Sequence, residues 1–583
     1  MRVLPLFAAL VLCLPAEAAK PPVKAKSPQP TTSQRSAQAI LKSLSLRDRI
    51  AQLVIGVCFG DAPSSQSPEF QKFRHWVRDL RIGGLIVNNR VQYGLVHYAE
   101  PHTLALFLNQ MQKLAKVPLL VGGDFERGSS MRVTDTTKFP YSMAYAAARD
   151  VEGSREEGLM TAQEARAMGI QWLFAPVADV NNNPANPVIN IRSFGENSDE
   201  VAAHAAAYID GAHSDPKNPV LVTAKHFPGH GDTTIDSHLD LARLEVDKDR
   251  IESVELIPFE AAIAHGVDAI MTAHMTVPAF EPQEIPATVS SKILTGLLRE
   301  ELGFRGLVVT DAMDMLGLAK QFSMREASVR AIEAGADVLL MPPDPEAAIN
   351  AVLAAVEKGR LTRKRIDQSA LRVLEAKVRV GLTKKKTVDL EAVSDAIDTP
   401  EEEAHAQRVS DRAVTLVRNE RNLLPLAAPN QACVIASAGV RISPFGQRML
   451  AEFRKRAPRA RLMSVDNALP EPALEALVGD VAQCSAIVFA SFTTNPMLAG
   501  DLPGLVQKLT EGPAPVVFVA FGNPYLLSSF PKIAAYVALF SPTAPSEASA
   551  VKALFGEIPI SGRLPVTIPG FAVYGEGIQL PAK

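Results

Sequence analysis

Residues 303 to 315 read GFRGLVVTDAMDM, an apolar run from Leu307 to Thr310 that ends abruptly on a carboxylate, Asp311. The same pattern recurs along the chain. Runs at Leu53 to Val57, Gly84 to Val87, Leu119 to Gly122, Trp172 to Val177, Val220 to Ala224, Ala269 to Thr272 and Val338 to Met341 bring the total to eight, with Ala- and Leu-rich helical stretches between them. Near-continuous apolar strands separated by helices indicate a parallel sheet covered by helices, and eight of them predict an α/β fold of the (β/α)8 TIM-barrel type. An open doubly wound sheet is the alternative that pattern alone leaves standing.

A barrel places its functional groups at the C-terminal ends of its strands. Polar residues do collect there. Asp124 follows the third run, Arg192 lies on an Asn/Pro-rich loop after the fourth, Lys225 and His226 close the fifth, His274 follows the sixth and Asp311 the seventh. This convergence favours an enzyme over a scaffold.

The densest chemistry is in KHFPGHGDTTIDSH, residues 225 to 238, read as a loop after strand five. Histidines and aspartates at short spacing can ligate zinc. Against a metal stand the adjacent Lys225, which brings positive charge, and the absence of metalloprotease helical spacings. Acid/base catalysis is the competing reading: Asp236 and His238 are two apart, so the carboxylate can accept one imidazole N–H and leave the other nitrogen for proton transfer. A loop whose histidines only satisfy backbone groups is the third possibility. Asp311 can be a helix cap or, opposite a proton donor, a nucleophile that forms a covalent glycosyl intermediate. Arg192 and Lys225 can also serve as structural partners of carboxylates.

The rest of the 583 residues frames this region. Hydrophobic residues at 47% and charged residues at 21% are ordinary globular composition and exclude disorder throughout. A net charge of -3 leaves no footprint for nucleic acid. Met1-Arg2, the apolar run Val3 to Leu14 and the small-x-small site at Ala16 to Ala18 predict a signal peptide over 1–18 and export to a periplasm or the outside. Leu12 before Cys13 disfavours a lipid anchor, and no later segment is long enough to span a membrane. Cys58, Cys433 and Cys484 sit in apolar surroundings and are expected as buried, unpaired thiols. Pro, Lys and Ser over residues 19–38 predict a disordered tether. The barrel is then expected over 39–385, a charged linker over 386–406, and a second α/β domain over 407–583, with runs at Val434 to Ser437, Ile487 to Phe492, Val516 to Phe521 and Tyr536 to Phe540.

KHFPGHGDTTIDSH, together with PANPVINIRSFG (184 to 195), MTAHM (271 to 275) and GFRGLVVTDAMDM, closely resembles glycoside hydrolase family 3, and within it the β-N-acetylglucosaminidase branch, whose acid/base is the histidine of D-S-H. RAVTLVRNERNLLPL (412 to 426) and SGRLPVTIP (561 to 569) resemble the family's α/β sandwich domain, so the likeness runs from about residue 40 to 575. The resemblance implies Asp311 as nucleophile of a retaining double displacement, His238 as acid/base and Asp236 as its orienting carboxylate. It implies a sugar pocket of Asp124, Arg192, Lys225 and His226, with no cofactor and no metal. One departure stands out. Where the family has a run like E-G-G-R-V, this chain reads Glu126-Arg127-Gly128-Ser129-Ser130-Met131-Arg132-Val133, which makes Arg132 the expected sugar ligand and Arg127 the alternative.

The expected activity is therefore an exo-acting β-N-acetylglucosaminidase that removes terminal GlcNAc from peptidoglycan fragments. The rivals are a β-glucosidase or xylosidase of the same fold, a phosphorylase favoured by a neutral histidine that does not repel phosphate, and a cell-wall binding protein without turnover.

Overall fold

The structure is a computed structural model that describes residues 31–93, 95–438, 444–466, 470–494 and 502–583. The signal segment predicted over 1–18, with Cys13, lies outside the described residues.

Eight parallel strands form the first sheet: β1 (Val54–Cys58), β2 (Gly84–Val87), β3 (Leu120–Gly123), β4 (Trp172–Leu173), β5 (Leu221–Phe227), β6 (Ala269–Thr272), β7 (Leu307–Val309) and β8 (Leu339–Leu340). They pair in sequence order. β8 pairs with β1 through Val54 and Leu339, and a parallel bridge from Val309 to Val338 joins β7 to β8 and closes the barrel. Each strand is buried on both faces because side chains fill the interior and helices cover the outside, which is why the runs read as unbroken apolar sequence.

Two strands differ from their sequence reading. β4 pairs only over Trp172–Leu173, although Val177 bridges Lys225 further on. β5 runs on to Phe227, so Lys225 and His226 are strand residues and not part of the following loop. The barrel tolerates a lysine in a strand because the end of β3, two strands away, supplies it with two carboxylates.

The six strands of the second sheet are β9 (Thr415–Asn419), β10 (Cys433–Ala438), β11 (Arg461–Asp466), β12 (Ile487–Phe492), β13 (Val516–Ala520) and β14 (Ala535–Ala538), in the order β9-β14-β13-β12-β10-β11, with only β9 antiparallel. Alternate residues serve opposite faces. Ile435, Phe489 and Phe518 enter one apolar cluster, and Val434, Val488 and Val519 enter another. The first of these clusters also takes in Met143 to Ala148, Val180, Ile191 and Phe194 from the barrel, so the two domains share a continuous apolar contact through the segments after β3 and β4.

Two expectations are corrected. Part of the predicted tether is ordered: Thr31 caps a helix, Thr32–Ser43, through a capping box with Gln34. Ala37 and Leu44 of this segment bury against Leu374 and Val117, an apolar stripe that outweighs the polar composition read around it. The helix sits at the foot of the barrel, where Ser33 and Gln34 line a cavity with Val267, Asp268 and Gly306, residues that precede β6 and β7. In the expected linker, turns give way at Thr399 to a capped helix, Pro400–Ala413.

The second correction concerns the thiols. Cys433 and Cys484 form a disulfide with Cα atoms 5.8 Å apart, whereas Cys58 is a free buried thiol whose pKa burial pushes up to about 12. β10 and β12 start side by side: Cys433 N–H donates to Ala486 O and Ser485 N–H to Gln431 O, which brings the two cysteines together. The bridge closes a span of 51 residues. Replacing both cysteines with serine is expected to cost about 2–4 kcal/mol of stability, read as a lower thermal midpoint for the second domain, with activity at low temperature retained.

Candidate active site

At the C-terminal end of the barrel, β3 leads into Asp124-Phe125-Glu126. The spacing of two directs both carboxylates to the same side, where Lys225 at the end of β5 meets them. Its Nζ lies 2.9 Å from Asp124 Oδ1 and 2.7 Å from Glu126 Oε1. Burial alone would lower the pKa of this ammonium, whose side chain is 2% exposed, but the two carboxylates outweigh it and hold the pKa above its ordinary value. Burial would likewise raise the pKa of Asp124, yet Lys225 and Arg132 bring it down to about 2.

Two arginines complete the cluster. Arg132 donates from Nη2 to Asp124 Oδ2 and from Nη1 to Asn89 Oδ1, both at 2.9 Å. Arg192 grips Glu126 with Nη2 at 2.7 Å and Nε at 2.9 Å, a bidentate pair in which each partner's geometry fixes the other. Three cations thus face two carboxylates, and Asp311 supplies a third negative charge nearby. Lys225 and Glu126 are sealed beneath the surface, whereas Asp124, Arg132 and Arg192 each keep about a fifth of their side chains open to a ligand.

His226 stands beside them. Asp179 Oδ2 accepts its Nδ1–H at 2.7 Å, which leaves Nε2 as the acceptor facing Arg192 Nη2 at 3.4 Å. Asp179 also accepts the backbone N–H groups of His226 and His230.

Asp311 follows β7, and its Oδ1 accepts the Ala312 N–H at 2.7 Å. Burial would raise its pKa, but the neighbouring His226 and His274 and this hydrogen bond hold it below the usual carboxylate range. His274 is buried and braces the same turn by donating from Nε2 to Ala312 O at 3.0 Å.

His238 is the exposed member, with 57% of its side chain open. Asp236 Oδ1 accepts both its Nδ1–H at 2.8 Å and its backbone N–H at 2.9 Å. That hydrogen bond raises the imidazole pKa above its ordinary 6.5; partial burial opposes the shift and the charge of Asp311 adds to it. The loop is anchored at Ser237, whose Oγ lies 2.9 Å from His230 Nε2, and it leans on the turn after Asp311. Gly317 N–H donates to Ser237 O at 3.1 Å, and Leu316 N–H to His238 O at 3.4 Å. A side chain at position 317 would put Cβ 2.8 Å from the Ser237 carbonyl oxygen, so the approach requires glycine.

The structure therefore gathers Asp124, Arg132, Arg192, Lys225 and His226 into one network, and brings Asp311, His238 and Asp236 to the same barrel mouth. Arg127 has its guanidinium 5.0 Å from the Tyr141 ring. Sequence reasoning missed Glu126, Asp179 and Asn89. The first two were open to the rule that located Asp124: Glu126 repeats it at a spacing of two, and Asp179 follows the fourth apolar run. The three histidines of residues 225 to 238 are divided among separate partners: Asp179 for His226, Thr233 and Ser237 for His230, and Asp236 for His238. No three metal-ligating groups converge among the described residues.

The sequence model described as the glycosyl hydrolase family 3 N terminal domain matches residues 45–376. Over 535 residues the chain is 28% identical to a β-N-acetylglucosaminidase/β-glucosidase of Cellulomonas fimi, covering 86% of this chain and 91% of that protein. Over 273 residues, 46% of this chain and 77% of the relative, it is 35% identical to a β-hexosaminidase of Vibrio cholerae. Among solved structures, a glycoside hydrolase family 3 β-N-acetylglucosaminidase from Paenibacillus sp. superposes with a TM-score of 0.80 at 31% identity, covering 90% of this chain and 99% of that one.

The pairing of His238 with Asp236 predicts a measurable titration. In histidine-labelled protein the His238 resonance is expected to titrate above 6.5, and in Asp236→Asn, where the amide cannot stabilise the imidazolium as the carboxylate does, to move down in pH. An unchanged midpoint would refute the assignment.

Proposed function

The chain belongs to glycosyl hydrolase family 3, and from that premise we propose that it is an exported, exo-acting, retaining β-N-acetylglucosaminidase that removes terminal non-reducing GlcNAc, with peptidoglycan fragments as the substrate. The observation that carries this reading is the Asp236–His238 pair on a barrel loop that leans on the turn after Asp311. A proton donor and a nucleophile built into one barrel need no carboxylic acid from the second domain.

In the proposed reaction, Asp311 attacks the anomeric carbon while the glycosidic oxygen takes the proton from His238 Nε2 and departs as an alcohol. Asp236 stabilises the imidazolium beforehand and remains ionised. The neutral His238 then removes a proton from water, whose oxygen attacks the same carbon, frees Asp311 and restores the β configuration. Asp124 would accept sugar hydroxyls, and Arg132, Arg192 and the His226 ring would complete the pocket. Beneath them the sealed Glu126–Lys225 pair forms a floor that supports cleavage from a chain end.

The first step needs Asp311 ionised and His238 protonated. The lowered pKa of the one and the raised pKa of the other open a window that reaches below 3.8 and above 6.5. kcat/KM falls at the acid end as Asp311 takes up a proton and at the alkaline end as His238 loses one. The amino-terminal 18 residues support export to a periplasm or the outside.

Hydrolysis of purified muropeptides with mass detection tests sugar, linkage and aglycone together, with loss of a terminal GlcNAc expected. With p-nitrophenyl sugars, faster turnover of the glucoside than of the GlcNAc derivative would sink the N-acetyl reading, and sugar 1-phosphate formed in phosphate buffer would convert it to phosphorolysis. Asp311→Asn is expected to lower kcat on the order of 10⁴-fold or more, and His238→Ala by about 10²- to 10⁴-fold, with folding intact by circular dichroism.

A further inference from the structure

Asn181, fully buried, makes three hydrogen bonds to two separate pieces of chain. Its backbone N–H donates to Gly195 O at 2.8 Å, its Oδ1 accepts Asn190 N–H at 2.9 Å, and its Nδ2 donates to Tyr525 Oη at 3.0 Å. Asn190 and Gly195 bracket Arg192, so one residue ties both ends of the turn that carries the guanidinium, the Asn190 end through its side chain and the Gly195 end through its backbone.

The segment is also gripped from its other side. Gly231 packs so tightly that a Cβ there would lie 1.8 Å from Val180 O, and Asn186 Nδ2 donates to the carbonyls of His230 and Gly231. Asp179, adjacent to Val180, holds His226. The stretch from 179 to 195 is thus the common support of Arg192, His226 and the root of the His238 loop.

Tyr525 belongs to the second domain. It sits on a 3-10 turn, Pro524–Ser529, beyond β13, where Asn523 Oδ1 accepts its backbone N–H at 2.8 Å, and it is 4% exposed. The same domain makes another tie: Thr567 donates from its backbone N–H and Oγ1–H to Glu196 at 2.6 and 2.7 Å, and Glu196 N–H donates to Pro565 O.

We infer that Tyr525 is a positioning residue whose hydroxyl, acting across the domain boundary through Asn181, sets the turn that holds Arg192 at the sugar pocket. The second domain then contributes to substrate affinity without touching substrate. The affinity part rests on Arg192 meeting the sugar as proposed above; the mechanical part does not.

Tyr525→Phe in the full chain removes one oxygen and tests both parts. Hydrogen exchange read by mass spectrometry is expected to speed up at least about fivefold in peptides covering 181–195 and to stay unchanged in the barrel strands. With whichever p-nitrophenyl glycoside the wild type cleaves fastest, KM is expected to rise about tenfold and kcat to change less than about twofold. In a cycle with Asn181→Ala, the double variant should be no worse than Asn181→Ala alone, since one relay is cut twice. Exchange that is unchanged in 181–195, or faster throughout the chain, overturns the relay, as do losses that multiply. Faster local exchange with an unchanged KM overturns the affinity part. If Asn181→Ala does not fold, the exchange of Tyr525→Phe decides. A wild type inactive on GlcNAc glycosides refutes the proposed function and leaves the exchange test standing.

Discussion

Lys225 has almost no contact with water and keeps its charge because two carboxylates within 2.9 Å replace its solvation. The rest of the pocket follows from that constraint. Asp124 and Glu126 must both stay ionised to neutralise the lysine, and their remaining oxygens are taken up by Arg132 and Arg192. Removing either carboxylate would leave a cation stranded in the barrel. The arginines therefore reach the surface already oriented, without the entropy loss that free side chains would incur on meeting a ligand.

The opposite side of the mouth follows a different rule. His238 is exposed, and its only charged hydrogen-bond partner, among the described contacts, is two residues away on the same loop. A group that exchanges protons needs access to water and a pKa that small changes can move, which a sealed ion-pair network would deny it. A dry, fixed floor and a wet, titratable rim thus occupy one barrel mouth, and the contact of Gly317 with Ser237 ties the rim to the turn after Asp311.

Much of this was readable in the chain because burial on both faces imposes unbroken apolar runs, and because strand ends are where a barrel can expose charge. Asp124, Arg192 and Asp311 were found that way, and the D-S-H spacing alone set up the contact of Asp236 with His238. What escaped depended on partners distant in sequence. The strand-end rule reaches Glu126 as well as Asp124, but its grip on Arg192, 66 residues away, has no signature in the local sequence. Cys433 and Cys484 lie in apolar flanks that suit a thiol and a disulfide equally; only the strand order β10–β12 makes them neighbours. The Thr31 cap was masked by polar composition, which averages away a stripe as narrow as Ala37 and Leu44.

The helix at Thr32–Ser43 has a geometric consequence. Because it docks at the foot of the barrel, Thr31 and the first turn of this helix sit at the pole opposite the mouth. The opening is thereby left clear of this helix, so a glycan can enter the mouth without displacing any of residues 31 to 44.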